Sequence, residues 1–266
     1  MSEENNMEER MEDYFSYLKE NFEFYASREV RQFVITIRLL EMGKTIIPLI
    51  FENQAQEAFA KSSDGNIKLT FAEVQELLED NDGENSIYLL NSENAYKNLV
   101  SILEDYVKDI MQYLFTKFPQ HLFLKKEKIE LSKLIEFQTL EELRERVIKE
   151  KVISLSYNNL ADMVKYIEKE FSVAFNFKEL VYELLVEITN VRNILVHNKG
   201  LINERFLANV SDEKYSLGAR VSIPIESIHE TAEAFHAVVE KMHLGLINKF
   251  CKKEVQYIDY KTQSSW

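Results

Sequence analysis

Six glycines and three prolines are spread over 266 residues, and that scarcity limits the fold more than any other feature. Tight reversals draw on Gly for positive φ and on Pro for a fixed φ, so a chain this poor in both has few places to turn. Long helices joined by short connections follow, because apolar residues recur at helical spacing through most of the sequence. Asn91 to Phe118 carries Leu99, Ile102, Leu103, Tyr106, Ile110, Tyr113 and Leu114 on one stripe, and Pro119 ends it. Residues 7–26 place Met11, Phe15, Leu18 and Phe22 on one face. A second helical region is expected over 28–60, broken or kinked at Pro48, whose ring disfavours helix at its predecessor. Leu140 to Val152, Leu160 to Phe171 and Ile225 to Phe250 complete the set, so the expected class is all-α.

Within this frame, one helix carries residues of chemical use. Val181 to Leu207 ends its apolar period at Lys199 and Gly200, a helix-stop signature. Projected at about 100° per residue, Leu184, Leu185, Ile188, Val191, Ile194, Leu195 and Val196 share an apolar arc. Asn193 and His197, four apart, stack on the polar side. Arg192 falls inside the apolar arc, where an unpaired guanidinium is costly. It must find an acceptor, lie at an interface, or face a cleft that binds an anion. In the structural reading the arginine bonds a buried carboxylate and the histidine caps the last carbonyls. In the chemical reading the arginine holds phosphate charge and the histidine moves a proton.

ITNVRNILVHNKGLINERFL, with Arg192, Asn193 and His197 spaced R-N-x-x-x-H, resembles the signature helix of the HEPN superfamily. LRERVIKEKVISLSYNNLADMVKYIEKEF upstream and LGARVSIPIESIHETAEAFHAVVEKM downstream also resemble HEPN helical domains of bacterial defence proteins. The resemblance implies a HEPN-like antiparallel helical bundle over 91–266, preceded by an acidic helical region at 1–90. It implies a metal-independent endoribonuclease of antiviral-defence or toxin type, without cofactors. Its motif helices would pair in a homodimer and cut RNA at a composite site. There His197 would serve as general base or acid, Arg192 would stabilise the oxyanion, and Asn193 would orient the histidine. Lys199 and Arg205 would help bind the substrate. The alternative is a catalytically inert HEPN-like module that holds a protein partner or a nucleotide.

Charge bears on the partner. The formal net charge is −13, which argues against a general nucleic-acid coat. Residues 1–100 hold 9 basic and 20 acidic residues, against 23 and 25 in 101–266, so the motif half is nearly neutral. An antitoxin or regulatory protein could engage the acidic region. The acidic start lacks a signal-peptide pattern. The longest dense apolar patch, IIPLIF at 46–51, is far short of a membrane span. The single cysteine, Cys251, suits a reducing compartment, so a cytoplasmic location is expected.

Other patterns carry less. DNDGENS at 80–86 fails the EF-hand register, because Leu78 and Leu89 occupy the two carboxylate positions. SSDGN at 62–66 reads as a turn, KKEK within 120–138 as solvated, and VQYIDYKTQSSW as a loosely held tail. Thr70 and Glu73 form a capping box. Arg144, Arg146, Lys149 and Lys151 interleave with acids as an ion-paired face, with an RNA-facing patch as the alternative. Asn203, Arg205 and Lys214 are expected in an extended loop, and RVSIPI at 220–225 as a short extended segment. Glu226/His229, Glu233/His236 and Glu240/His243 repeat E-x-x-H along one face. Successive histidines lie about 10 Å apart along the axis, too far to share a metal, so a solvated or subunit-facing stripe is expected.

Overall fold

The computed structural model describes residues 3–51, 58–61, 68–79, 86–122, 137, 139–210 and 212–251. The 62–66 turn, the KKEK run, the C-terminal tail and all of the acidic loop but Ser86 lie outside them. The expected all-α class is what the chain adopts. Its helices are α1 (Glu3–Phe51), α2 (Phe71–Glu79), α3 (Ile87–Lys117), α4 (Leu140–Ser156), α5 (Leu160–Phe171), α6 (Glu179–His197), α7 (Glu204–Asn209) and α8 (Ser227–Phe250). A small antiparallel ribbon, β1 (Ala58–Lys61) with β2 (Lys68–Thr70), interrupts them. The helical region expected over 28–60 therefore ends earlier, and its last residues pair as strand instead.

α3 is the axis. Leu99, Val100, Leu103, Val107, Ile110, Met111, Leu114 and Phe115 are at most 1% exposed, so more than half of its circumference faces the core, leaving one exposed stripe through Asn98, Ser101 and Asp105. Burying a side chain of this size contributes about 1.5–3 kcal/mol, which makes α3 the element the others pack around. Its start is capped by Ser86, whose side chain accepts from the Leu89 N–H.

α1 runs antiparallel to α3. Tyr14 stacks on Tyr113 with ring centroids 3.9 Å apart, Phe22 meets Tyr106 at 5.7 Å, and Glu29 accepts from Asn98 at 3.1 Å. Met11, Phe15, Leu18, Phe22, Ala26 and Phe33 supply its buried face. They belong to the same hydrophobic cluster as α3, α5, α6 and α8, so the core runs across residue 90 without a break. The expected division of α1 near residue 27 does not occur. No Gly or Pro intervenes there, and Ala26 and Phe33 carry the buried stripe onward. Pro48 sits inside α1 three residues from its end, so the i→i−4 bond that it removes falls in the last turn and little helix lies beyond it.

α8 also lies antiparallel to α1, with Phe250 beside Phe15 at 6.1 Å and Lys19 paired to Glu240. The E-x-x-H stripe is thereby corrected. His229 is solvated, but His236 packs edge-on to Phe22 at 5.3 Å and His243 is half-buried against α1. Gly245 marks the closest approach of α8 to the segment before α6. A Cβ there would lie 2.7 Å from Phe175 and 2.8 Å from the Ala174 carbonyl.

The Thr70–Glu73 box forms, with Thr70 N–H donating to Glu73 at 2.7 Å and Glu73 N–H to Thr70 Oγ1 at 3.3 Å. On α4, Arg146 bonds Glu150 at 2.7 Å, and Arg144 reaches the Thr116 carbonyl on α3. Arg144 thus ties two helices together.

Candidate functional site

α6 is held from two sides before its charged residues come into play. Thr189, buried in mid-helix, accepts the Leu160 N–H at 3.2 Å and donates to the Leu185 carbonyl at 2.8 Å. One hydroxyl thereby joins α6 to the first turn of α5. Tyr182 donates to Glu168 of α5 at 2.5 Å, and Glu168 also accepts the Phe175 N–H. Burial, followed by that carboxylate, pushes the Tyr182 phenol well above its ordinary range. Leu185, Ile188, Val191, Ile194 and Leu195 face the core as projected, whereas Val196 is 51% exposed. The apolar arc ends one position short because the helix end leaves the core there.

Arg192 takes the acceptor option. Its Nη2 donates to both carboxylate oxygens of Glu104 on α3, and its Nη1 donates to Asn193 Oδ1 at 2.9 Å. The Glu104 side chain is 12% exposed and that of Arg192 23%. Lys108, one turn on, stands 4.0 Å from the same carboxylate. A charge pair this sheltered is strongly coupled, since removing either partner leaves the other desolvated and uncompensated.

His197 does not converge on Arg192 within one chain. Five residues along a helix separate two side chains by about 140° around the axis. His197 is exposed at the last turn, and its imidazole makes no hydrogen bond or ion pair with a described residue. The cap beyond is made otherwise. Asn198 and Gly200 both donate from the backbone to the Ile194 carbonyl at 2.9 Å, and Asn198 Nδ2 reaches the Leu201 carbonyl.

The left-handed turn involves two residues. Lys199 has φ 53° and Gly200 φ 76°, so a side-chain-bearing residue shares the conformation expected of the glycine alone. Lys199 is exposed, and so is Arg205. Arg205 and Asn203 do not lie in an extended loop. Asn203 caps α7 by accepting the Phe206 N–H at 2.9 Å, and Arg205 is in the first turn of that helix. The sequence signal was present, since Asn-Glu ahead of an apolar pair is a helix start.

A second buried carboxylate on α3 repeats the Glu104 arrangement. Glu93 accepts from Arg220 Nη2 at 3.0 Å, and its side chain is 8% exposed. Arg220 belongs to the extended segment after α7, which bridges to Leu201 and donates from Val221 N–H to the Gly200 carbonyl. Glu93 and Glu104 are eleven residues apart, about three turns and nearly in line. Both interrupt apolar rows of α3, a pattern as readable as that of Arg192.

Between α6 and α8 lies a cavity of about 510 Å³, within the size range of small-molecule sites. Leu184, Ile188 and Val191 of α6 and Phe235 of α8 form apolar walls, and Tyr96, Lys214, Tyr215, Arg220 and Ser227 supply polar groups. Glu187, on the same wall, accepts from Lys214 and from the Tyr215 hydroxyl at 2.7 Å each. Burial alone would lower the Lys214 ammonium, but its bonds to Glu187 and Asp212 outweigh that and raise it. Tyr215 and Tyr96 are driven far up, chiefly by burial. Arg192, Asn193 and His197 do not line this cavity.

Fold and site together define an all-α protein with a partly buried arginine–glutamate tie beneath its motif helix. No family model, curated protein or solved structure matches the chain. Among the described residues no helix is long and apolar enough to cross a membrane, and no group of three or more His, Cys, Asp or Glu side chains is placed to hold a metal ion.

Proposed function

We propose that this chain is a catalytically inert helical binding module whose ligand seat is the cavity between α6 and α8. The observation that carries this reading is the engagement of Arg192 by Glu104 within the chain. Both Nη atoms of Arg192 are bonded within the chain, which leaves it little to offer a phosphodiester, whereas Arg220 is bonded through Nη2 alone. The cavity offers what the motif lacks, namely apolar walls with a few converging polar groups. The ligand it suits is nucleotide-sized, with a ring against Phe235 and Val191 and an anionic group near Lys214 and Arg220. Each cation has donors beyond those its carboxylates take. The resemblance to HEPN domains accommodates this, because its inert members hold a partner or a nucleotide.

The test is equilibrium binding of nucleoside mono- and triphosphates, read by thermal shift and calorimetry. Ala234→Trp, which fills the cavity from α8, should abolish saturable binding, and His197→Ala should leave it unchanged. Absence of binding across the panel, or equal binding by Ala234→Trp, defeats the reading.

One observation favours the nuclease reading as a second possibility. His197 and Val196 are exposed together at the free end of α6, a patch that the motif helix of another copy could cover. In that arrangement a ribose 2′-hydroxyl would lose its proton to His197 and attack the adjacent phosphate. The 5′-oxygen would leave with the proton returned by the imidazolium so formed, giving a 2′,3′-cyclic phosphate and a 5′-hydroxyl. Arg192 would have to exchange Glu104 for the phosphate. Structured RNA incubated with the protein in EDTA decides this reading. Cutting that His197→Ala abolishes supports it, and intact RNA removes it.

A further inference from the structure

On the side of α1 turned away from the core, Ile35, Leu39, Met42, Ile46 and Leu49 follow one another in strict four-three-four-three spacing. They are 58%, 62%, 56%, 42% and 78% exposed. At about 100° per residue they fall within an arc of roughly 80°, nearly opposite the buried face of Phe15, Phe22 and Phe33. They are therefore not a frayed continuation of the core stripe. The neighbouring elements leave them open. α2 packs on the flank at Gly43, where Leu78 stands 3.6 Å from a Cβ position. α8 runs from beside Phe15 towards the middle of α1 and begins at Ser227. A contiguous row of five large apolar side chains is more than scattered surface hydrophobicity explains.

The spacing specifies the shape of what covers it. Alternating steps of four and three are the repeat with which one helix seats its side chains between those of another. The flanks specify the partner further. Arg31, Arg38 and Thr45 border one edge of the row, Thr36 and Gly43 the other, and no acidic residue stands at either. A twofold axis near Met42 sets Arg38 across from the partner's Thr45, so no like charges oppose one another. Five large side chains about half or more exposed put the row at the lower end of the roughly 600–1,000 Å² per partner that specific interfaces bury.

We propose that the Ile35–Leu49 row of α1 is a self-association surface, covered by the same row of a second copy in an antiparallel two-helix coil. This goes beyond the proposed ligand site and does not depend on it.

Light scattering and sedimentation of the full chain at tens of micromolar test the proposal. The wild type should have twice the 31.4 kDa chain mass. The double variant Leu39→Glu/Met42→Glu should have the single-chain mass with unchanged helical content, because both positions face solvent in the single chain. Val196→Glu, at the end of the motif helix, should remain dimeric. Met42→Cys should form an interchain disulfide on mild oxidation, above any background from the buried Cys251, which the wild type measures. A monomeric wild type, a Leu39→Glu/Met42→Glu variant that stays dimeric, or an uncrosslinked Met42→Cys would each overturn it.

Discussion

Arg192 closes on Glu104 across eighty-eight residues of sequence, reaching both carboxylate oxygens from the core side of α6. The contact joins α6 to the central helix, as Arg220 joins the following segment to Glu93 on the same helix. Two sheltered ion pairs three turns apart fix how the α6–α7 region sits on α3. Pairs of this kind add little net stability over apolar residues, but they penalise misregistered packing, which would strand a charge.

Gly245 is where α8 comes closest to the chain before α6. Gly245→Ala should lower stability by about 1–3 kcal/mol, because the added methyl meets Phe175 and a backbone carbonyl that cannot swing aside. Urea denaturation measures this. An unchanged midpoint would show that the two segments are less tightly apposed.

His243 supplies a pH dependence. Burial, then the neighbouring Lys19 ammonium, lowers its pKa below the ordinary 6.5, partly offset by Glu240, the Phe15 backbone and Glu23. The folded form thus binds a proton less readily than the unfolded chain. The contribution is fully present above pH 6.5, falls as the unfolded histidine takes up a proton below that value, and is gone below the lowered folded value. Melting temperature should drop from pH 7.5 to 5.5, and less steeply in His243→Gln. Equal slopes for the two proteins would contradict the burial.

Lys199 holds a left-handed conformation with a full side chain. Lys199→Gly should stabilise the fold by about 0.5–1 kcal/mol, because glycine adopts that region without a Cβ clash. Thermal denaturation decides the sign. A loss of stability would mean that the lysine makes a contact worth more than the strain it bears.

How much of this was legible depends on how far apart the cooperating residues are in sequence. Arg192 announced itself by standing in the apolar arc of α6, and its need for an acceptor followed from one helical projection. The identity of that acceptor did not, because Glu104 belongs to another helix and only packing brings the two together. Glu93 and Glu104 left the same trace in α3, as charges set into apolar rows. The burial of Met11, Phe15, Leu18 and Phe22 was readable from spacing, whereas the continuity of α1 through residue 27 depends on a core that carries the stripe onward. Asn203 carries the chemistry of a cap, but α7 spans only Glu204–Asn209, too short to show an apolar period in the sequence. The E-x-x-H stripe looked solvated because its six residues are polar. Its contact with α1 arises from Phe22 and Lys19, which lie more than two hundred residues earlier in the chain.

The measurement that bears most directly on the account is a double-mutant cycle on Arg192 and Glu104, using Met at both positions and urea denaturation. Arg192→Met and Glu104→Met should each cost about 2–3 kcal/mol, somewhat less than a fully buried pair because Arg192 retains some solvent. The double variant should recover most of that loss, giving a large coupling energy. Additive losses, or an Arg192→Met protein as stable as the wild type, would mean that Arg192 is free for other work, and the binding-module account would lose its foundation.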